Sequence, residues 1–349
     1  MPRRRTVTLA VSGTLLAGFV AGALFQSVPY AELSPGPTYD VLGSQNGTPL
    51  ITITGKQTYP TNGQLRMVTV GVSDESFRMS LGQAMVGWLN DKEAIVPKDT
   101  IYPPGQTEQQ SEQENTQEMT DSQDAAITAA LAQLGIKPTG SEVIVASVTP
   151  GGPAANKLQP GDVIDAVDGT PVTTGGDAGM TSVTDTIQQV KPGGEVTFEV
   201  TRDQQKKTVT TPTVDNGGKA QVGISIESEN VFPFTVDIQL NNVGGPSAGM
   251  MFALGVIDKL TPDGLTGGNV IAGTGTIDAK GNVGAIGGIQ MKTIGAREAG
   301  ATVFLAPAAN CAEAKANQPS GLELVKVNTL GDAINALNDL KEGKTPPLC

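Results

Sequence analysis

At 349 residues the chain is long enough for two or three domains with proper cores. A formal net charge of −12, with no basic run beyond the N-terminus, excludes a phosphate-binding face and with it a nucleic-acid partner. The absence of histidine excludes a Ser-His-Asp triad, a Cys-His dyad and any His-ligated zinc site, and two cysteines cannot build an all-cysteine zinc centre. No metal or cofactor is expected, and a nucleophile here must find another base. Lysine is the leading candidate, because burial in an apolar pocket lowers its pKa until the neutral amine accepts a proton near neutral pH.

Arg3, Arg4 and Arg5 precede an uncharged run from Thr6 to Val28, long enough at helical rise to cross a bilayer. Residues 1–29 thus predict a single-pass membrane anchor. The positive-inside rule puts the N-terminus in the cytoplasm and the bulk of the chain outside it. A cleaved signal peptide is the competing reading, with Ala21, Gly22 and Ala23 as small residues near a cleavage point. Export lets Cys311 and Cys349 form a disulfide that pins the C-terminal tail, 341–349; two inert thiols are the alternative.

Residues 30–137 read as a separate extracytoplasmic region. Alternation in LITITG and GQLRMVTVGV predicts a few strands, and no catalytic cluster stands out. From 103 to 123 the chain (PPGQTEQQSEQENTQEMTDSQ) is too polar to bury and predicts a mobile loop. A helix follows from near Ser122, with Ala125, Ala126, Ala129, Ala130, Leu131 and Leu134 on an apolar stripe ending at Gly135.

Within 138–214, VTPGGPAANKLQPGDVIDAVDGTPV joins a strand, a Gly-Pro turn, a short helix, a Pro-Gly-Asp turn and another strand; the helix-like DTIQQV and the strands EVTFEVTRDQQKKTVTT close the pattern. The order resembles a PDZ domain of the bacterial protease type. The resemblance implies capture of protein or peptide substrates by strand addition to a sheet edge; the plainer reading is a packing spacer.

The segment 220–340 carries the chemistry. In VGGPSAGMMFALGVID, the turn Gly244-Gly245-Pro246 leads into a helix and puts Ser247 near its positive end. Backbone N–H groups of Gly245, Ser247 and Ala248 there suit an oxyanion hole, while Ala248 and Gly249 leave room for a substrate backbone. Read alone, GPSAG favours Ser247 as an N-terminal cap. Further on, GAIGGIQMKTIGAREAG bears Lys292 on a helix whose Ile289, Gly295, Ala296 and Ala299 suit a packed face, although Gln290, Arg297 and Glu298 give that helix a wet side.

Together these motifs resemble the proteolytic domain of Lon proteases, and the layout resembles the membrane-anchored, PDZ-containing Lon-like proteins of Gram-positive bacteria. The resemblance implies Ser247 as nucleophile, Lys292 as general base and Thr274, in GTGT, as the residue that orients the lysine amine. Gly244 departs from it, since Lon enzymes usually carry Asp or Glu there. So does the lack of a G-x-x-x-x-G-K-[ST] loop in these residues. The expectation is therefore an α+β multidomain chain acting as an ATP-independent, membrane-tethered serine endopeptidase, able to form homo-oligomers; the rival is a non-catalytic adaptor or scaffold.

Overall fold

The computed structural model describes residues 2–202, 204–240 and 243–349, with the side chains at 2–6, 9, 10, 108 and 109 outside the description. Helix α1 (Pro2–Leu24) leads into β1 (Tyr30–Asp40), which pairs antiparallel with β2 (Gln64–Val72). A short helix, α2 (Leu81–Gly87), starts on a capping box: Ser80 Oγ accepts from the Gln83 N–H, and Gln83 Oε1 accepts from the Ser80 N–H. Strand β3 (Ala94–Pro97) then pairs antiparallel with β1 on its other edge.

Helix α3 (Glu108–Gln133) replaces most of the expected mobile loop at 103–123. Glutamine and glutamate are good helix formers. Its start is fixed by a second capping box, in which Thr107 Oγ1 accepts from the Gln110 N–H and Gln110 Oε1 accepts from the Thr107 N–H. The apolar stripe is buried as expected at Ala126, Ala129, Ala130 and Leu131.

Next come β4 (Gly140–Val148), β5 (Val163–Val167), α4 (Gly176–Gln189), β6 (Glu195–Arg202), β7 (Gln205–Pro212) and β8 (Ile224–Val231). The remainder supplies α5 (Gly249–Leu260), β9 (Val270–Gly273), α6 (Ile289–Glu298), β10 (Val303–Pro307), α7 (Cys311–Ala316), β11 (Glu323–Val327) and α8 (Leu330–Lys341).

The chain forms two compact units: Met1–Ile51, Tyr59–Ala126 and Ile238–Cys349 make one, and Thr52–Thr58 and Ile127–Asp237 make the other. In the second, an antiparallel sheet in the order β7-β6-β5-β4-β8 turns alternate residues inward, and Val143, Val145, Ile164, Val196, Phe198 and Val200 form the core with Val183 of α4. Asp162, fully buried, is held by Arg202 through a two-point ion pair of 2.5 and 2.7 Å.

The first unit holds a mixed sheet in the order β11-β10-β9-β2-β1-β3. β2, β9, β10 and β11 run parallel, and β1 and β3 are antiparallel additions. The sequence boundaries at 30–137 and 220–340 therefore do not delimit compact units. β1 and β2 complete the sheet that the later strands begin, because a parallel sheet is buried on both faces and needs neighbours across its full width.

Among the described residues no helix is long and apolar enough to cross a membrane, so the expected spanning helix is not found there. The side chains of Arg3, Arg4 and Arg5, which set the expected orientation, lie outside the description.

Candidate active site

The loop before α5 is pinned from two directions. Beneath it, Gly275 N–H and Thr274 Oγ1 both donate to the Ser247 carbonyl, at 2.9 and 3.0 Å, and Met250 N–H donates to the Gly275 carbonyl at 3.1 Å. Beside it, α3 presents Asn115, Glu118, Met119 and Ser122, positions that share one helical face. The Gly245 N–H donates to the Asn115 carbonyl at 2.9 Å, and Ser122 Oγ donates to the Pro246 carbonyl at 3.0 Å.

This packing explains two glycines. A Cβ on Gly249 would stand 2.7 Å from both Ile277 Cγ2 and Ser122 Oγ, so the missing side chain makes room for the protein's own α3, not for a substrate as the motif suggested. A Cβ on Gly244 would stand 2.8 Å from Asn115 Cβ. An acidic residue at 244 is therefore incompatible with α3 lying where it does.

Lys292 enters from α6. Gly288 begins that helix at φ 67° in the left-handed region, close under Val70 of β2, and the Lys292 N–H closes the first turn on the Gly288 carbonyl at 3.1 Å. Its side chain is buried, 4% exposed, on the packed face with Ile289, Gly295 and Ala296. Lys292 Nζ lies 2.7 Å from Ser247 Oγ and 3.1 Å from Thr274 Oγ1. Ser247, Lys292 and Thr274 thus meet at one point. Burial, with no carboxylate partner among the described residues, lowers the Lys292 pKa from 10.5 to about 8.

Ser247 and Ala248 stand at the start of α5, Ala248 being its cap. Their N–H groups are without partners among the described residues, whereas that of Gly245 is engaged by Asn115. Of the three backbone donors expected to form an oxyanion hole, Gly245 is turned to α3 and two are left for it.

A cleft of about 360 Å³ opens over Ser247 and Lys292, walled by Tyr39, Met67, Val70, Met119 and Val243. Sequence reasoning missed these walls. Tyr39, Met67 and Val70 come from the strands in which no catalytic cluster stands out, and Met119 from the expected loop. One available signal was SPGPTY: its strand is bulged between Pro35 and Thr38, and Gly36 sits so close to Thr69 that no Cβ fits. At the C-terminus Cys311 and Cys349 are joined by a disulfide, S–S 2.03 Å, and the Cys349 N–H donates to the Leu324 carbonyl of β11 at 3.0 Å.

Residues 117–213 match the PDZ domain family model, and residues 241–338 match that of the Lon protease (S16) C-terminal proteolytic domain. Lon protease 2 of Bacillus subtilis (strain 168) is 29% identical over 141 residues, 38% of this chain and 24% of that protein. Lon protease 1 of Sorangium cellulosum (strain So ce56) is 41% identical over 93 residues, 26% of this chain and 11% of that protein. The chain thus spans a quarter or less of the length of these relatives. Among solved structures, the PDZ domain of the SdrC-like protein from Listeria monocytogenes is 26% identical, with a TM-score of 0.23, covering 26% of this chain and 93% of that one. The chain therefore carries a PDZ domain and, C-terminal to it, a proteolytic domain of the Lon (S16) family.

Proposed function

We propose that the protein is a serine endopeptidase that works without ATP, tethered to a membrane by its N-terminal helix, and cleaves chains presented by the PDZ domain. The observation that carries the reading is the 2.7 Å approach of Lys292 Nζ to Ser247 Oγ at a buried site with a lowered lysine pKa. Neutral Lys292 takes the Ser247 proton as Oγ attacks a peptide carbonyl. Thr274 steadies the amine, and the N–H groups of Ser247 and Ala248 receive the oxyanion. Lys292 then gives its proton to the leaving amine, and the acyl-enzyme is released by a water that Lys292 deprotonates.

The tether reading is supported by α1, whose Val11, Leu15, Leu16, Phe19 and Val20 are exposed, and by the run 6–28, which starts in α1 and carries no charge. The 349 residues hold no G-x-x-x-x-G-K-[ST] loop, so substrates on this reading are flexible tails or chains already unfolded.

The test compares cleavage of an unfolded reporter protein by the parent, Ser247→Ala and Lys292→Ala, with substrate saturation curves for each. Both variants are expected to lose at least about a thousandfold in kcat/KM. Variants as fast as the parent would remove the dyad. Absence of Ser247 labelling by an acylating probe in any oligomeric state would favour the scaffold reading instead.

A further inference from the structure

The segment from Met79 to Asn90 (MSLGQAMVGWLN) carries no charge, like the run from Thr6 to Val28, and it forms α2 and the turn after it. One side of α2 is packed. Ala84 and Gly87 are buried, and a Cβ on Gly87 would come within 2.6 Å of Ile95 of β3. The other side is bare: Met85, Val86, Trp88 and Leu89 are between 49% and 88% exposed. Phe25, 84% exposed, sits just past the end of α1.

These side chains are fixed in place rather than loosely hung. The Ser80–Gln83 capping box starts the helix, and Tyr30 meets Trp88 edge to face at 5.6 Å. α2 is also tied to the exit of α1: the Leu81 N–H donates to the Gln26 carbonyl at 2.8 Å, Ser27 bridges Ser80, and Gly82 lies 3.2 Å, Cβ position to oxygen, from the Leu24 carbonyl. The bare face thus adjoins the end of a helix that carries no charge on any side from Thr6 to Leu24. A helix of that kind offers neither a wet face nor a single docking stripe, and hydrocarbon is the medium that solvates it all round.

We infer that Phe25, Met85, Val86, Trp88 and Leu89 form a membrane-contact patch that dips into the lipid interface beside α1 and sets how the catalytic unit stands on the bilayer. This rests on the tether proposed above and adds a second contact to it. Tryptophan belongs at such a depth, with its ring body in the acyl boundary and its N–H toward the headgroups, and an interfacial helix sinks about 5–10 Å below the surface.

Trp88 is the sole tryptophan, so intrinsic fluorescence reports this patch alone. The full chain is reconstituted in phosphatidylcholine vesicles carrying bromine either near the glycerol end or near the methyl end of the acyl chains, and flotation is measured alongside. Bromine near the glycerol end is expected to quench Trp88 emission to roughly half or less, with weaker quenching by the deeper label. The double variant Val86→Glu/Leu89→Glu is expected to float as well as the parent, with the same circular dichroism, but to lose the quenching. Flotation of the parent with no quenching by either lipid overturns the patch and leaves the tether standing. If Trp88 is instead shielded from iodide in a dilution-dependent way and untouched by bromine, the face lies between copies of the chain, which also overturns it. Failure to float overturns tether and patch together.

Discussion

Lys292 has two consequences that pull apart. As a base it must be neutral, and with a pKa of about 8 only about one molecule in ten holds the free amine at pH 7. The kcat/KM on an unfolded substrate is therefore expected to rise about tenfold between pH 7 and pH 9, following a single titration near 8; a flat profile would remove Lys292 as the base. For stability the same buried amine is a cost. A lysine whose folded pKa is depressed weakens the fold at every pH below that pKa, and the penalty fades as pH rises from about 8 toward 10.5. Burying the ammonium costs about 3 kcal/mol on that shift. Lys292→Met should thus abolish cleavage yet melt several degrees higher at pH 7, and the gain should shrink by pH 10. Equal melting temperatures at both pH values would contradict it.

Gly244 is the other residue with a clear expectation. Asp at this position would press on Asn115 Cβ, an overpacking that costs about 1–3 kcal/mol and is relieved by parting the loop from α3. Gly244→Asp is expected to lower the melting temperature and to slow acylation of Ser247 by an active-site probe. Parent-like values for both would mean that α3 does not set the residue at 244.

The elements that meet at the site were unequally visible in the sequence. GPSAG and IGGIQMK announce themselves because each local constraint leaves a mark: a glycine in the left-handed region at Gly288, or no room for a Cβ at Gly249. The strands of the smaller unit were equally plain, since alternation puts their apolar residues on one face. Helix α3 is hidden because its first half is mostly polar, and a polar stretch predicts a loop as readily as a solvated helix. Its capping box, Thr107 to Gln110, was there to be read. The role of its inner face was not, because the hydrogen bonds to Gly245 and Pro246 join residues more than a hundred positions apart. Likewise, apart from the SPGPTY bulge, no local signal tells that Tyr39 and Met67 wall a cleft over Ser247.

At the scale of the whole molecule, the disulfide ties the chain's last residue to α7 across a separation of 38. A closed loop of that length stabilises by about 4 kcal/mol in the chain-entropy account. Cys311→Ser/Cys349→Ser should therefore melt well below the parent under oxidising conditions and together with it in reductant. Coincident melts under both conditions would show that the bridge contributes nothing. The same scale explains why the division of the sequence into successive domains did not match the compact units. The first unit takes Met1–Ile51 and Tyr59–Ala126 along with Ile238–Cys349, and a linear reading cannot see a return.

That return has a bearing on how the molecule is born. β2 pairs in register with β9, Gln64 against Val270, and β9 and β10 in turn need β11, which ends at Val327. In a chain growing from its N-terminus β1, β2 and β3 can pair with one another, but the far edge of β2 waits for β9 until most of the chain has been made, and such long-range pairing is slow. Ser247 and Lys292 lie on α5 and α6, late in the chain, so on the proposed function a half-made chain that stops short of α6 carries no dyad.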